Sequence, residues 1–411
     1  YLFTLMPFDN EIVLIDKMKG ADLLEILTQK KADGTAIEFT SKPDINGAKK
    51  IGDDWYLADG TTKIEATGEY KVICNDFMLT GGDKYSQFIP YSQDTNAFKF
   101  IGTPLRDAMV AQLQYEADSK EGATKDINVF FTSDLHGAFT GTNYATQKNQ
   151  AGLSRIATVL QSKRAELDPL GKRSLTVDVG DTIQGAGSTC FIGNTDYAFP
   201  LLKGFEYLNF DAVVLGNHEF NFGIDNMLLA FNGEYKGANG TVTGQKVYTG
   251  AKLAGNVFQG EFTGDQNVTG TDHLLPEFKS YEIFERDSVR VAVIGMTNPG
   301  SDTWDAVKMR EAGYYTESAI GATKRAIQEI KAGNLADVIV LAAHMSLGDS
   351  FARPGSGATS VLGDTYIRDN VDVFLGGHGH NPQTKLINGV KYGENKNAGG
   401  SLGIATIKVT K

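Results

Sequence analysis

Cysteine is nearly absent: Cys74 and Cys190 are the two in 411 residues. They are far apart in sequence, which leaves neither a disulfide framework nor a thiolate metal site, and both are expected as buried thiols. Long apolar runs are missing too. None approaches the ~18 residues of a membrane span, and no stretch has the layout of a signal peptide. Lysine and arginine form no block, and the net charge is −11. A protein that grips duplex nucleic acid normally shows phosphates a basic face, so polymer binding is disfavoured. Small phosphate esters stay open as ligands, provided that cations supply local positive charge.

Glycine, by contrast, is plentiful at 47 residues, as in loop-rich α/β enzymes. The length exceeds one typical core and predicts two domains. The first, 1–118, reads as a small α+β unit, with a strand over 11–16, a helix over 21–28 and a strand over 68–80 running into Gly81-Gly82. Thr103-Pro104 reads as an N-cap and first helical position, opening a helix with Leu105, Met109 and Leu113 on one face. The polar stretch 119–126 is the expected linker. The chain begins at Tyr1, without Met and inside what reads as a strand, as expected of a piece of a longer polypeptide.

From residue 127 to 411 the texture changes. Apolar β-type runs recur, and most end in a polar cluster: INVFFTSDLH, SLTVDVGD, DAVVLGNHE, KLAGNVF, VRVAVIGMTNPG, ADVIVLAAH and VDVFLGGHGH. Helical segments such as 153–166 and 320–331 lie between several of them. Buried strands alternating with helices predict a layered α/β domain, whose ligands sit at the carboxyl ends of strands.

Five of the six histidines fall at those strand ends: His136, His218, His344, His378 and His380. Imidazole and carboxylate are preferred ligands of borderline divalent metals. Asp134 and His136, at i and i+2, can project from the same side as strand gives way to loop. His378 and His380 repeat that spacing, with Gly379 permitting a tight turn. Asp181 follows Gly180 and has two oxygens with which to bridge a pair of cations. Asn217 and His344 close similar ends. Any one cluster would be weak; five in this order predict a metal site. His273 lies outside them and reads as a loop histidine near Pro276, and the Asn-x-Thr sequons at 239–241 and 267–269 are too short to signify.

In order and spacing, SDLHG, GDTIQG, GNHEF, AAHMS and GGHGH resemble the calcineurin-like metallophosphoesterase domain. More narrowly, with GLSRIATVL and VAVIGMTNPG, they resemble the 5'-nucleotidase and 2',3'-cyclic-nucleotide phosphodiesterase family. The resemblance implies a four-layer α/β/β/α sandwich and two divalent metal ions (Zn, Mn, Fe or Co). One would be held by Asp134, His136, Asp181 and His380, the other by Asp181, Asn217, His344 and His378. It implies hydrolysis of nucleotide phosphoesters by metal-activated water, with His218 assisting catalysis. It also implies a site of action outside the cytoplasm, at the cell surface or in a periplasm.

One position departs from the family. Many members continue as Gly-Asn-His-Glu-Phe-Asp, the aspartate pairing with the catalytic histidine, whereas this chain has Asn221. Its amide oxygen can accept the imidazole N–H but lacks the charge. The Asn form resembles the branch acting on 2',3'-cyclic nucleotides and 3'-nucleotides.

MPFDN (6–10), KGADLLEIL (19–27) and NDFMLTGGDKY (75–85) resemble the same family's C-terminal, nucleoside-binding domain. That implies Phe8 and Phe77 stacking on a base and Asp83 contacting the ribose. The usual domain order is reversed here, and an arginine-bearing phosphate-binding segment is missing. A tandem protein, cut between modules, accounts for both. Two other readings compete: a phosphoesterase for another ester such as a nucleotide sugar, and a catalytically weak surface binding module.

Overall fold

The structure, a computed structural model, describes residues 10–39, 45–118, 123–142, 151–193, 199–236, 242–260, 275–350 and 354–410. Phe8, His273 and both sequons lie outside them. The chain divides into two compact units, Tyr1–Ala117 and Asp118–Lys411.

In the larger unit, apolar runs form strands buried on both faces. Ile127, Val129 and Phe131 of Thr124–Thr132 enter one core while Phe130 enters another, as the two-residue period of a strand requires. Val291 and Val293 likewise face away from Ala292 and Ile294. This is why the runs read as continuous rather than alternating. They assemble into two sheets. The five-stranded sheet runs, edge to edge, Ala251–Leu253, Ala212–Val214, Ser174–Asp178, Thr124–Thr132 and Gly403–Thr410. The six-stranded sheet runs Tyr281–Arg286, Val289–Met296, Val338–Ala343, Val373–Gly376, Val390–Glu394 and Gln383–Ile387. Their middle strands are parallel, so the carboxyl ends in each sheet share one edge.

A valine-rich core lies between the sheets, including Val129, Val177, Val214, Val293, Val340 and Leu375. Each such side chain contributes ~1.5–3 kcal/mol on burial. Outside the first sheet, Gly152–Leu167, Pro200–Tyr207 and Ile224–Asn232 pack through Leu153, Leu160, Phe205 and Met227. Outside the second, Ala319–Ala332 packs through Ala322, Ala326, Ile327 and Ile330. The layers are helix, sheet, sheet, helix: the four-layer sandwich that the resemblance implies.

The smaller unit is α+β. Its antiparallel sheet runs Glu69–Asn75, Glu11–Lys19 and Phe98–Pro104, over a core that includes Val13, Ile15, Met18 and Cys74. Several local readings shift. The expected strand over 68–80 stops at Asn75, whose side chain accepts from Met78 N at 2.7 Å and caps a helical turn over Asp76–Leu79. Pro104 ends a strand, and the helix is Leu105–Asp118, with Met109 and Leu113 exposed. Cys74 is buried, as expected, but Cys190 is exposed, because it lies in a short 3-10 turn, Gly187–Phe191, that buries none of its side chains.

Candidate metal centre

The seven predicted ligands come together where the parallel strands of the two sheets end. Asp134 and His136 follow Thr124–Thr132, Asp181 follows Ser174–Asp178, and Asn217 follows Ala212–Val214. From the other sheet, His344 follows Val338–Ala343, and His378 and His380 follow Val373–Gly376.

The loops are tied to one another by hydrogen bonds. Asp134 N donates to Gly180 O and His136 N to Asp181 O, both at 2.8 Å. His378 N donates to the Asp134 carboxylate at 3.0 and 3.1 Å, joining the two sheets. Gly180 and Gly216 are needed where the loops touch: a Cβ on Gly180 would lie 2.4 Å from Gly216 N, and one on Gly216 2.2 Å from Asp181 Oδ1.

Asp134, His136, Asp181, His378 and His380 all have left-handed backbones, with φ between 48 and 73°. For residues with side chains that conformation costs roughly 1–3 kcal/mol each and persists only where the surroundings enforce it. The tight turn at His378-Gly379-His380 therefore works differently from the expectation, since both histidines, not the glycine, take the positive φ. A Cβ on Gly379 would sit 2.5 Å from Oε1 of the buried Glu394, so the turn passes close to that carboxylate.

Ring orientations are set from behind. His344 Nδ1 meets Val179 O at 2.7 Å and His136 Nδ1 meets Gln184 O at 2.9 Å. A carbonyl only accepts, so both Nδ1 atoms carry hydrogen and both Nε2 atoms are turned to the centre, where each can give a lone pair to a cation once it has lost its own proton. His136 Nε2 lies 3.0 Å from His380 Nε2, which lies 3.3 Å from Asp134 Oδ1. On the other side, His344 Nε2 is buried without a hydrogen-bond partner, 3.0 Å from Asp181 Oδ2 but misaligned with it. His378 Nδ1 lies 2.8 Å from Asn217 Oδ1, and Trp304 stacks on the His378 ring with centroids 5.3 Å apart.

The ligand atoms fall into overlapping groups, each within 4.8 Å: Asp134, His136 and His380; Asp181, His344 and His378; and His136, Asp181 and His218. Asp181 belongs to two of them. Burial alone would raise the Asp134 and Asp181 carboxyls, but the surrounding imidazoles, His344 first, outweigh it and hold both below the usual range. Burial opposes a charge on His344, yet Asp181 and Asp134 raise it to about 10. Burial and His344 push His378 down to about 4. A buried imidazole driven so high marks a place where positive charge is strongly favoured. Convergent lone pairs, an orphaned buried Nε2 and an oxygen–nitrogen donor set all fit divalent cations.

His218 sits beside this cluster, its Nε2 3.9 Å from Asp181 Oδ2 and its Nδ1 2.6 Å from Asn221 Oδ1. Two important neighbours escaped the sequence reading. Glu219 is fully buried and accepts four backbone N–H bonds, from Asp181, Thr182, Ile183 and Gly216, at 2.6–3.2 Å. An acid inside the GNHEF motif, between His218 and Phe220, was its available signal. Asp305, which holds Asn221, had no local signal at all. In the smaller unit, Phe77 is 50% exposed, with its ring edge where a Cβ on Gly82 would be, and Asp83 sits in a left-handed turn at φ 50°.

Comparison with known proteins agrees with this architecture. The chain is 26% identical over 268 residues to Protein UshA of Yersinia enterocolitica, covering 63% of this chain and 41% of that protein. It is 25% identical over 276 residues to the 2',3'-cyclic-nucleotide 2'-phosphodiesterase/3'-nucleotidase of Salmonella typhimurium, covering 64% and 38%. The crystal structure of the calcineurin-like phosphoesterase YfkN from Bacillus subtilis superposes with a TM-score of 0.56 at 23% identity, covering 70% of this chain and 86% of that one. The chain thus spans less than half the length of these two curated relatives. Residues 1–89 match the 5'-nucleotidase C-terminal domain, which here precedes the other match. Residues 127–382 match the calcineurin-like phosphoesterase model, and the chain belongs to that family.

Proposed function

We propose that this chain hydrolyses nucleotide phosphoesters at a centre of two divalent cations. One would be held by Asp134, His136, Asp181 and His380, the other by Asp181, Asn217, His344 and His378, with Asp181 shared. The carrying observation is the convergence of these donors, with imidazoles fixed from behind by Val179 O and Gln184 O. When bound, such cations supply Lewis acidity: they bring the pKa of water towards neutrality and offset charge on a phosphoryl group. The protein's own part is to hold the donors rigidly and to place His218 beside them. There, Nε2 can face a phosphoryl oxygen or give a proton to the departing oxygen.

Nucleotides are the proposed substrates because the relatives are named for them. The Asn221 variant favours 2',3'-cyclic and 3'-nucleotides over 5'-nucleotides. In the smaller unit, Phe77, with Phe8, would stack on a base and Asp83 would meet a ribose. Exposure of Phe77 supports this role over a core one. Action outside the cytoplasm is part of this reading; among the described residues no helix is long and apolar enough to cross a membrane.

Asp181→Asn is the sharpest single test. It should lower metal content, measured by elemental analysis, and cut turnover by more than the ~10–100-fold typical of residues behind the ligands. A variant with full metal content and full turnover would remove Asp181 from the centre.

A further inference from the structure

We propose that Asp305 positions His218 through Asn221, restoring at one remove the carboxylate that position 221 lacks. The inference rests on the phosphoesterase reading for its catalytic consequence, but not for its geometry. Asn221 Nδ2 lies 2.9 and 3.1 Å from the two Asp305 carboxylate oxygens. Its Oδ1 lies 2.6 Å from His218 Nδ1. A carboxylate only accepts, so the amide must turn its NH2 towards Asp305. The opposite orientation would set the amide oxygen against two anionic oxygens. With the NH2 held there, the amide oxygen faces His218, and a hydrogen bond at that distance places the imidazole hydrogen on Nδ1. The remaining atom, Nε2, looks towards Asp181 and the metal centre, and is the one that takes up a second proton and gives it to the departing oxygen.

An isolated asparagine could not do this. It presents a donor or an acceptor with equal ease, and either imidazole tautomer would satisfy it. The carboxylate removes that freedom and polarises the amide, strengthening the second bond of the chain. Asp305 makes no ion pair with lysine or arginine among the described residues, so its charge acts on the amide. Its placement is also specific. It lies between the short helices Ser301–Trp304 and Ala306–Glu311, directly after the Trp304 that stacks on His378. One turn thereby braces a predicted ligand and the predicted acid together. Asp305 touches no reacting atom; it is a positioning residue.

The test combines a spectroscopic and a kinetic readout on the full chain loaded with zinc, which is diamagnetic. Nitrogen-15 histidine spectra should show His218 as the Nδ1–H form in the parent protein and as a mixture in Asp305→Ala. The same variant should lose about 10–100-fold in kcat with little change in KM, as for other residues that orient a functional imidazole. The loss should be smaller with a p-nitrophenyl ester, whose leaving group needs no proton. Asn221→Asp alone should be damaged, because it sets two carboxylates face to face. The exchange Asn221→Asp with Asp305→Asn should recover most of the lost rate. An unchanged His218 spectrum in Asp305→Ala, or an exchange variant no better than Asn221→Asp, would overturn the proposal. If the parent protein turns over no ester, the phosphoesterase reading fails, and the tautomer spectra still decide whether Asp305 governs His218.

Discussion

His218 and Asn217 are adjacent in sequence yet separate in role. Asn217 is buried and its Oδ1 faces His378, whereas His218 is half-buried with its ring turned to Asn221. The metal assignment therefore predicts different losses. His218→Ala should keep the full complement of metal while kcat falls by about 10²–10⁴-fold, the range for a proton-transfer group. Loss of metal from that variant, by elemental analysis, would instead make His218 a ligand, as its grouping with His136 and Asp181 allows. The candidate ligands were legible because few side chains bind such metals, and those few crowd the strand ends. Their supports were not. Left-handed backbones at five of the candidates arise from loops pinned together, and Asp305 reaches Asn221 from 84 residues away. No local pattern encodes either.

At the level of elements, each candidate ligand is delivered by the carboxyl end of a parallel strand. Both strand faces are buried, so the strands stood out in sequence as apolar runs, and their alternation with helices pointed to a layered α/β domain, whereas their order within the sheets did not show. The turn after Ser174–Asp178 depends on a buried carboxyl. Burial raises Asp178 to about 7, against hydrogen bonds from Thr132 Oγ1, Thr182 Oγ1 and Gly180 N. Its folded value lies above the ordinary 3.8. The stability it adds is therefore complete below 3.8 and is lost as pH rises through about 7. Asp178→Asn cannot lose that contribution. Its thermal midpoint should rise relative to the parent between about pH 4 and pH 8, by several degrees. A gap that does not move with pH would show that Asp178 is already ionised in the fold. The smaller unit was read less well at its element boundaries. Asn75 stops a strand by capping the next turn, and a strand pattern carries no warning of that.

At the level of the whole molecule, a nucleotidase C-terminal-domain match precedes the phosphoesterase match, and the chain spans under half of the two relatives compared. The four-layer sandwich and the convergence of candidate ligands lie in the larger unit. Turnover is the property that tests them together. The decisive measurement is hydrolysis of 2',3'-cyclic AMP, 3'-AMP and 5'-AMP by the purified chain after chelation, with and without added Mn or Zn. The account predicts no turnover after chelation and recovery on adding metal, with the cyclic or 3' ester preferred over the 5'. Turnover that survives complete removal of metal, or a metal-replete protein that cleaves none of the three, would contradict it.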